Sequence, residues 1–219
     1  MRMAKKQVVV IGLGRFGSSV ARALSELGHE VLGLDSDLRR VEEVSEFATQ
    51  AAQVDATDED ALRDMGVRNF DIGVVAIGSD VKSSILATLL LKRLGVKTVV
   101  SKAQDELHGD ILEKVGADRV VYPERETGLR VAHALASPNL VDYLQVMPGF
   151  GIGKLVAPLA FQGKELGQLD LKGKFGLTTL ILRRGNELVL NPSRSEVIGR
   201  GDVLVVTGRD EQLEALWAK

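Results

Sequence analysis

The run Gly12-Leu13-Gly14-Arg15-Phe16-Gly17 fits the GxGxxG pattern, and each glycine stands where a side chain would obstruct the binding of a phosphate. The first permits a tight turn, the second lets the backbone approach an anion, and the third lets a helix pack closely on a strand. Backbone N–H groups at the start of the following helix then face that anion. Asp35 closes the next apolar run, where its carboxylate can accept hydrogen bonds from both hydroxyls of a ribose. Aspartate is also a favoured helix cap, and the two roles are compatible.

These residues need a scaffold of alternating strands and helices, and the sequence supplies one. Residues 7–11 form a short, continuously apolar, β-branched run, as expected of a parallel strand buried on both faces. An amphipathic helix over 18–27 follows and stops at Gly28. Further strands are predicted over 30–34, 51–54, 72–77, 98–101 and 119–122, with helices over 38–47, 58–65, 82–94 and 105–115. Helix 82–94 is apolar on much of its surface and is expected mainly to serve the core. Six strands with intervening helices describe a doubly wound, Rossmann-like α/β domain. A helix over 126–136 then leads out through Ser137-Pro138-Asn139, which marks a boundary. Beyond it, short glycine-punctuated segments over 154–159, 178–182, 187–190 and 202–206 read as antiparallel strands. Short helices over 166–171 and 210–217 complete a small α+β domain. The expected domains are 4–136 and 137–219.

Composition narrows the chemistry. With 45% hydrophobic and 26% charged residues among 219, the chain is expected to be folded and globular. A formal net charge of −2 gives no long-range attraction to nucleic acid. There is no cysteine, which excludes disulfides, thiolate metal sites and cysteine nucleophiles. The basic start at Met1-Arg2-Met3-Ala4-Lys5-Lys6 runs into an apolar stretch that Gly12 stops far short of a membrane span. A cytoplasmic protein is expected, with any membrane role carried by a partner.

Doubly wound sheets bind ligands at the carboxyl ends of their strands. Asp55-Ala56-Thr57 and Ala76-Ile77-Gly78 fall there after the third and fourth strands and can flank an adenine with backbone groups. Lys102 and Glu124 follow the fifth and sixth, where a solvated end-of-strand charge is the plainer account.

With these residues assembled, the chain resembles the RCK family, the regulators of potassium conductance, and within it the Ktr and Trk-type subunits of potassium uptake systems. The matching text is Val10 to Gly17, then Gly28-His29-Glu30-Val31 leading to Asp35, Val75-Ala76-Ile77-Gly78, Ser101-Lys102-Ala103, Leu112 to Val120, and Pro123-Glu124. The C-terminal part matches in outline only. One pair of domains is the Ktr arrangement, whereas Trk-type subunits usually carry two. The resemblance implies ATP, ADP or NAD(H) in the N-terminal site, and homodimers assembling into a ring, typically octameric, beneath a membrane potassium translocator. It also implies that Arg15 meets a terminal phosphate and that Glu124 holds a divalent cation or Na⁺ there. Lys102 would line the pocket, with His108 contributing. Phe16, Ser36, Ser101 and Ala103 complete the implied nucleotide contacts. Some relatives bind cyclic di-AMP in the C-terminal domain, for which Leu180, Ile181, Leu190, Asn191 and Pro192 are candidates; hairpin core and turn are the plainer account of them.

The same fold also supports NAD(P)-dependent hydride transfer or redox sensing. That chemistry needs a general acid or base beside the substrate. His29 in a turn, His108 in a helix and His133 in the linking helix are the only histidines, and none lies in the C-terminal domain.

Overall fold

In the computed structural model, residues 4–136 and 139–217 are described. The expected boundary at Ser137-Pro138 lies outside them. The chain forms two compact units, Met1–Glu124 and Arg125–Lys219, so the division falls near the start of the linking helix, whereas the sequence expectation kept that whole helix with the first domain.

The first unit holds six parallel strands: β1 Gln7–Ile11, β2 Glu30–Asp35, β3 Gln50–Gln53, β4 Ile72–Val75, β5 Thr98–Lys102 and β6 Arg119–Val121. They are ordered β3-β2-β1-β4-β5-β6, with parallel register throughout. Val8, Val9 and Val10 of β1 have no exposed surface, because helices cover both faces of the sheet and leave a central strand no polar side. One core layer joins Val9, Ile11, Leu34, Leu62 and Leu91; the other joins Val8, Val10, Ala21 and Val44. Strand order reverses between β1 and β4, which opens a crevice at their carboxyl ends.

The helices are α1 Arg15–Glu26, α2 Leu38–Ser45, α3 Glu59–Asp64, α4 Val81–Arg93, α5 Glu106–Lys114 and α6 Pro123–Ala136. Asp37, Asp58, Asp80 and Asp105 cap α2 to α5, each carboxylate accepting from first-turn N–H groups. Two helices, expected over 58–65 and 105–115, therefore start one residue later, at Glu59 and Glu106, the aspartate being the cap rather than the first helical residue. Helix α4 buries Ser84, Ala87, Thr88, Leu90 and Leu91, in keeping with its expected core role. Helix α6 begins at Pro123, three residues earlier than predicted, since the fixed φ of proline suits a first helical position.

The second unit carries a five-stranded sheet of β7 Leu140–Met147, β8 Phe150–Val156, β9 Thr178–Arg184, β10 Glu187–Leu190 and β11 Val203–Arg209. Their order is β10-β9-β11-β8-β7 and every pairing is antiparallel. Strand β7 escapes the sequence pattern because it buries only Leu140 and Tyr143 among eight residues, which breaks the period of two. The expected helix over 166–171 is two short ones, α7 Leu166–Leu169 and α8 Leu171–Phe175. Between them Asp170 takes the left-handed conformation, φ 46°, and accepts from the Gly173 N–H. Helix α9, Asp210–Trp217, closes the unit. Leu180 and Ile181 of β9 are partly buried, but Leu190 is exposed, so the hairpin-core account does not cover it; Asn191 follows it with φ 47°.

A buried carboxylate fixes the loop before β11. Asp202 accepts two hydrogen bonds from the Arg184 guanidinium, at 3.1 and 2.7 Å, and one from the Gly199 N–H at 2.8 Å. Burial pushes its pKa up, but the bonds from Arg184 and Gly199 prevail and hold it below the usual carboxylate value. Asp202→Asn should therefore lower the unfolding free energy by about 1–3 kcal/mol, as read by urea denaturation. An unchanged midpoint would contradict this role.

Candidate functional site

The turn between β1 and α1 is built by close approach. Gly12 has φ +88°, and a Cβ there would sit 2.9 Å from the Ile77 nitrogen. A Cβ on Gly17 would fall on the Gly12 carbonyl oxygen, so this glycine lets α1 start against the loop itself. Gly14 differs from both: a Cβ there would meet nothing within 4 Å. The first and third glycines serve packing, and the second leaves open space. Helix α1 differs likewise from α2 to α5, having Gly14 as its N-cap and no side-chain cap bond. Its first-turn N–H groups border the space over Gly14, an arrangement suited to an anion.

That space belongs to a cleft of about 850 Å³ at the carboxyl ends of the strands, within the usual range for small-molecule sites. From the first loop, Gly12, Gly14, Arg15 and Phe16 line it, and from the end of β2 Asp35 and Ser36 do. Asp55, Ala56 and Thr57 contribute after β3, Ala76, Ile77 and Gly78 after β4, and Lys102 and Glu124 at the far side. The predicted strand over 72–77 stops at Val75, which frees Ala76 to Gly78 to form the wall.

Four sequence-predicted contacts are not among the lining residues. Gly17 is buried against the loop. Ser101 has no exposed surface and shares a 2.8 Å hydrogen bond with Thr88, and Ala103 is equally buried. His108 is 2% exposed; its Nδ1 accepts from the Gln104 N–H at 3.3 Å, and burial lowers its pKa against the opposing charge of Asp105. It belongs to the α5 packing, which corrects the expectation that it contributes to the pocket.

The sequence missed the residues supplied by two helix starts: Asp37, Arg39, Arg40 and Glu43 of α2, and Asp80 and Ser83 of α4. The signal was present in the two Asp caps, since a helix that begins at the strand ends brings its first turn to the same crevice.

Asp35 is the buried centre of one end. Its Oδ2 accepts from the Leu13 N–H at 2.6 Å and its Oδ1 from the Asp37 N–H at 2.9 Å. Arg40 approaches Oδ2 at 3.4 Å. Two carboxylate oxygens offer about four acceptor positions, so capacity remains for hydroxyl donors. Around it, Asp37 is held below the usual carboxylate pKa by its bonds from Arg39, and Asp55 by the Thr57 hydroxyl and N–H. At the other end Lys102 donates to Glu124 at 2.6 Å and lies 5.8 Å from the centroid of the Phe16 ring. The hydrogen bond from Lys102 lowers the Glu124 pKa, with the Lys102 and Arg15 charges acting in the same direction. The cleft is thus divided into a carboxylate-centred end suited to hydroxyls and an end with two cations beside an uncapped helix, suited to phosphate. A sugar phosphate fits this donor set.

No three of the described His, Asp or Glu residues form a group that could hold a metal ion by themselves. No helix is long and apolar enough to cross a membrane among the described residues.

The chain is similar to known proteins in sequence and in fold. Residues 8–123 match the TrkA-N domain model and residues 155–218 the TrkA-C domain model. The chain is 44% identical over 93% of its length to the Ktr system potassium uptake protein C of Bacillus subtilis, covering 92% of that protein. It is 36% identical over 97% of its length to the Ktr system potassium uptake protein A of the same organism, covering 96% of it. In structure it is similar to the GsuK channel bound to NAD, with a TM-score of 0.65 and 18% identity, covering 97% of this chain and 39% of that one. At that identity the likeness concerns the fold.

The glycine geometry makes a contrast testable. Gly17→Ala should lower the melting temperature by several degrees, because the added carbon lands on backbone. Gly14→Ala should leave it nearly unchanged. Calorimetric melting of both variants checks this, and equal losses would contradict the division of roles.

Proposed function

The chain belongs to the RCK family, built from a TrkA-N and a TrkA-C domain, and on that footing we propose that it is the nucleotide-sensing regulatory subunit of a potassium uptake system, binding ATP or ADP in the cleft of its first unit. The observation that carries the proposal is the paired make-up of that cleft, a buried carboxylate at one end and an uncapped helix with Arg15 and Lys102 at the other. The family relationship sets the chain among potassium uptake proteins rather than among the oxidoreductases that share the fold. Among the described residues no histidine lines the cleft to act as acid or base.

Asp35 would hold the ribose hydroxyls and the α1 N-terminus the first phosphates. Arg15, exposed at the start of α1, would meet the terminal phosphate, its planar fork being suited to two anionic oxygens. A carboxylate beside a polyphosphate is repelled unless a cation lies between them. Glu124 would therefore share a divalent cation or Na⁺ with phosphate oxygens, which supply the ligands that the described residues alone lack. NAD(H) is the second ligand kept in view, since Asp35 can serve its ribose equally, and GsuK of the same fold has been solved with NAD. Cyclic di-AMP in the C-terminal domain would be a separate ligand.

Regulation would act by differential affinity. ATP offers one more phosphate than ADP to Arg15 and the cation, so it can favour one arrangement of subunits over another by that difference alone. Homodimers would assemble into a ring, octameric by analogy, at the inner face of the membrane against a Ktr or Trk-type translocating subunit. The linking helix would work with the nucleotide domain, as residues 4–136, and residues 137–219 would form the second domain.

The test is potassium flux in liposomes holding a Ktr-type membrane subunit together with this protein. ATP and ADP should give rates that differ at least about fivefold, and Arg15→Ala should bring them together while keeping most of the affinity for adenosine. Equal rates with wild-type protein would refute the proposal. In binding assays, Glu124→Gln should reduce the gain in ATP affinity that Mg²⁺ produces; an undiminished gain would remove the cation role.

A further inference from the structure

The phosphate end of the cleft already contains an ion pair, and its two members are unlike. The Lys102 side chain is 11% exposed and that of Glu124 72% exposed. Lys102 is confined: its ammonium lies where a Cβ on Gly78 would be only 3.0 Å away, with the Phe16 ring on another side. Glu124 reaches it from the first turn of α6. A lysine whose side chain is so little exposed is helped by an anionic partner, and at 2.6 Å Glu124 fills that role. A nucleotide phosphate entering this end would compete for the same cation.

We infer that Lys102 is a shared counter-ion whose partner is exchanged on binding, Glu124 in the free protein and a distal phosphate of the nucleotide in the complex, so that the pair sets the preference of the site for di- and triphosphates over a monophosphate. This deepens the function proposed above and rests on the cleft being a nucleotide site. A monophosphate held at the start of α1 leaves the pair intact. A longer phosphate chain takes Lys102 and leaves Glu124 facing an anion, so the carboxylate must turn away or acquire a cation. Because Glu124 belongs to the first turn of α6, the exchange acts on the helix that leads out of the first unit. Glu124 in this account opposes ATP when cations are absent and favours it only when they are present.

Titration of the whole protein with ATP, ADP and AMP, in a chelator with N-methylglucamine as the sole added cation, tests the inference. Glu124→Gln should bind ATP about tenfold more tightly than wild type and AMP within about twofold of it. Lys102→Met should lose ATP affinity selectively, and in that background Glu124→Gln should gain much less than it does alone. Gly78→Ala, which crowds the ammonium, should also weaken ATP relative to AMP. No gain from Glu124→Gln, or the same gain with Lys102 removed, would overturn the exchange. Failure of the wild type to bind any of the three, with or without Mg²⁺, would instead overturn the nucleotide site itself.

Discussion

The hydrogen bond from the Leu13 N–H to the buried Asp35 carboxylate, at 2.6 Å, holds the site together. It ties the glycine turn after β1 to the end of β2, and the second oxygen of the same carboxylate ties in the start of α2 through the Asp37 N–H. A buried carboxylate is tolerated only with such donors around it. The loop conformation and the charge are thus mutually dependent. Gly12 and Gly17 complete the constraint by letting the turn and α1 close on one another, and the result is a helix start that faces the cleft with no side-chain cap.

The acidic residues show how one residue type serves different ends by position. Asp37, Asp58, Asp80 and Asp105 spend their carboxylates on helix N-termini, whereas Asp35 keeps acceptor capacity beside the crevice. Glu124 is engaged by Lys102, whose hydrogen bond lowers the pKa of the carboxylate. The cleft therefore contains most of its own counter-ions. A ligand that enters it replaces internal partners, and its selectivity depends on which partners it can replace.

Much of this was legible from the residues. The β-branched run before Gly12 read as a buried parallel strand, and the GxGxxG spacing placed a tight turn and an open second glycine after it, although the helix was expected from residue 18 and begins at Arg15. The resemblance then pointed to Lys102 and Glu124 together, which position alone left as solvated charges; their pairing emerges only where the ends of β5 and α6 meet. His108 was misplaced because a helical histidine at the cleft end of the sheet can face either way, and α5 turns it into the packing. Arg39 and Arg40 were missed because the first turn of α2 reads as an ordinary charged surface until Asp37 is seen to cap it. In the second unit β7 has no two-residue alternation, and the break at Asp170 needs a left-handed backbone that aspartate rarely adopts, so neither was visible beforehand.

Calorimetric titration of the purified protein with ATP, ADP and NADH, each with and without Mg²⁺ or Ca²⁺, tests the central claim most directly. The account predicts binding of ATP and ADP at about micromolar or tighter dissociation constants, with a cation effect confined mainly to ATP. Binding of NADH alone, with ATP ignored, would contradict it and remove the roles given to Arg15 and Glu124.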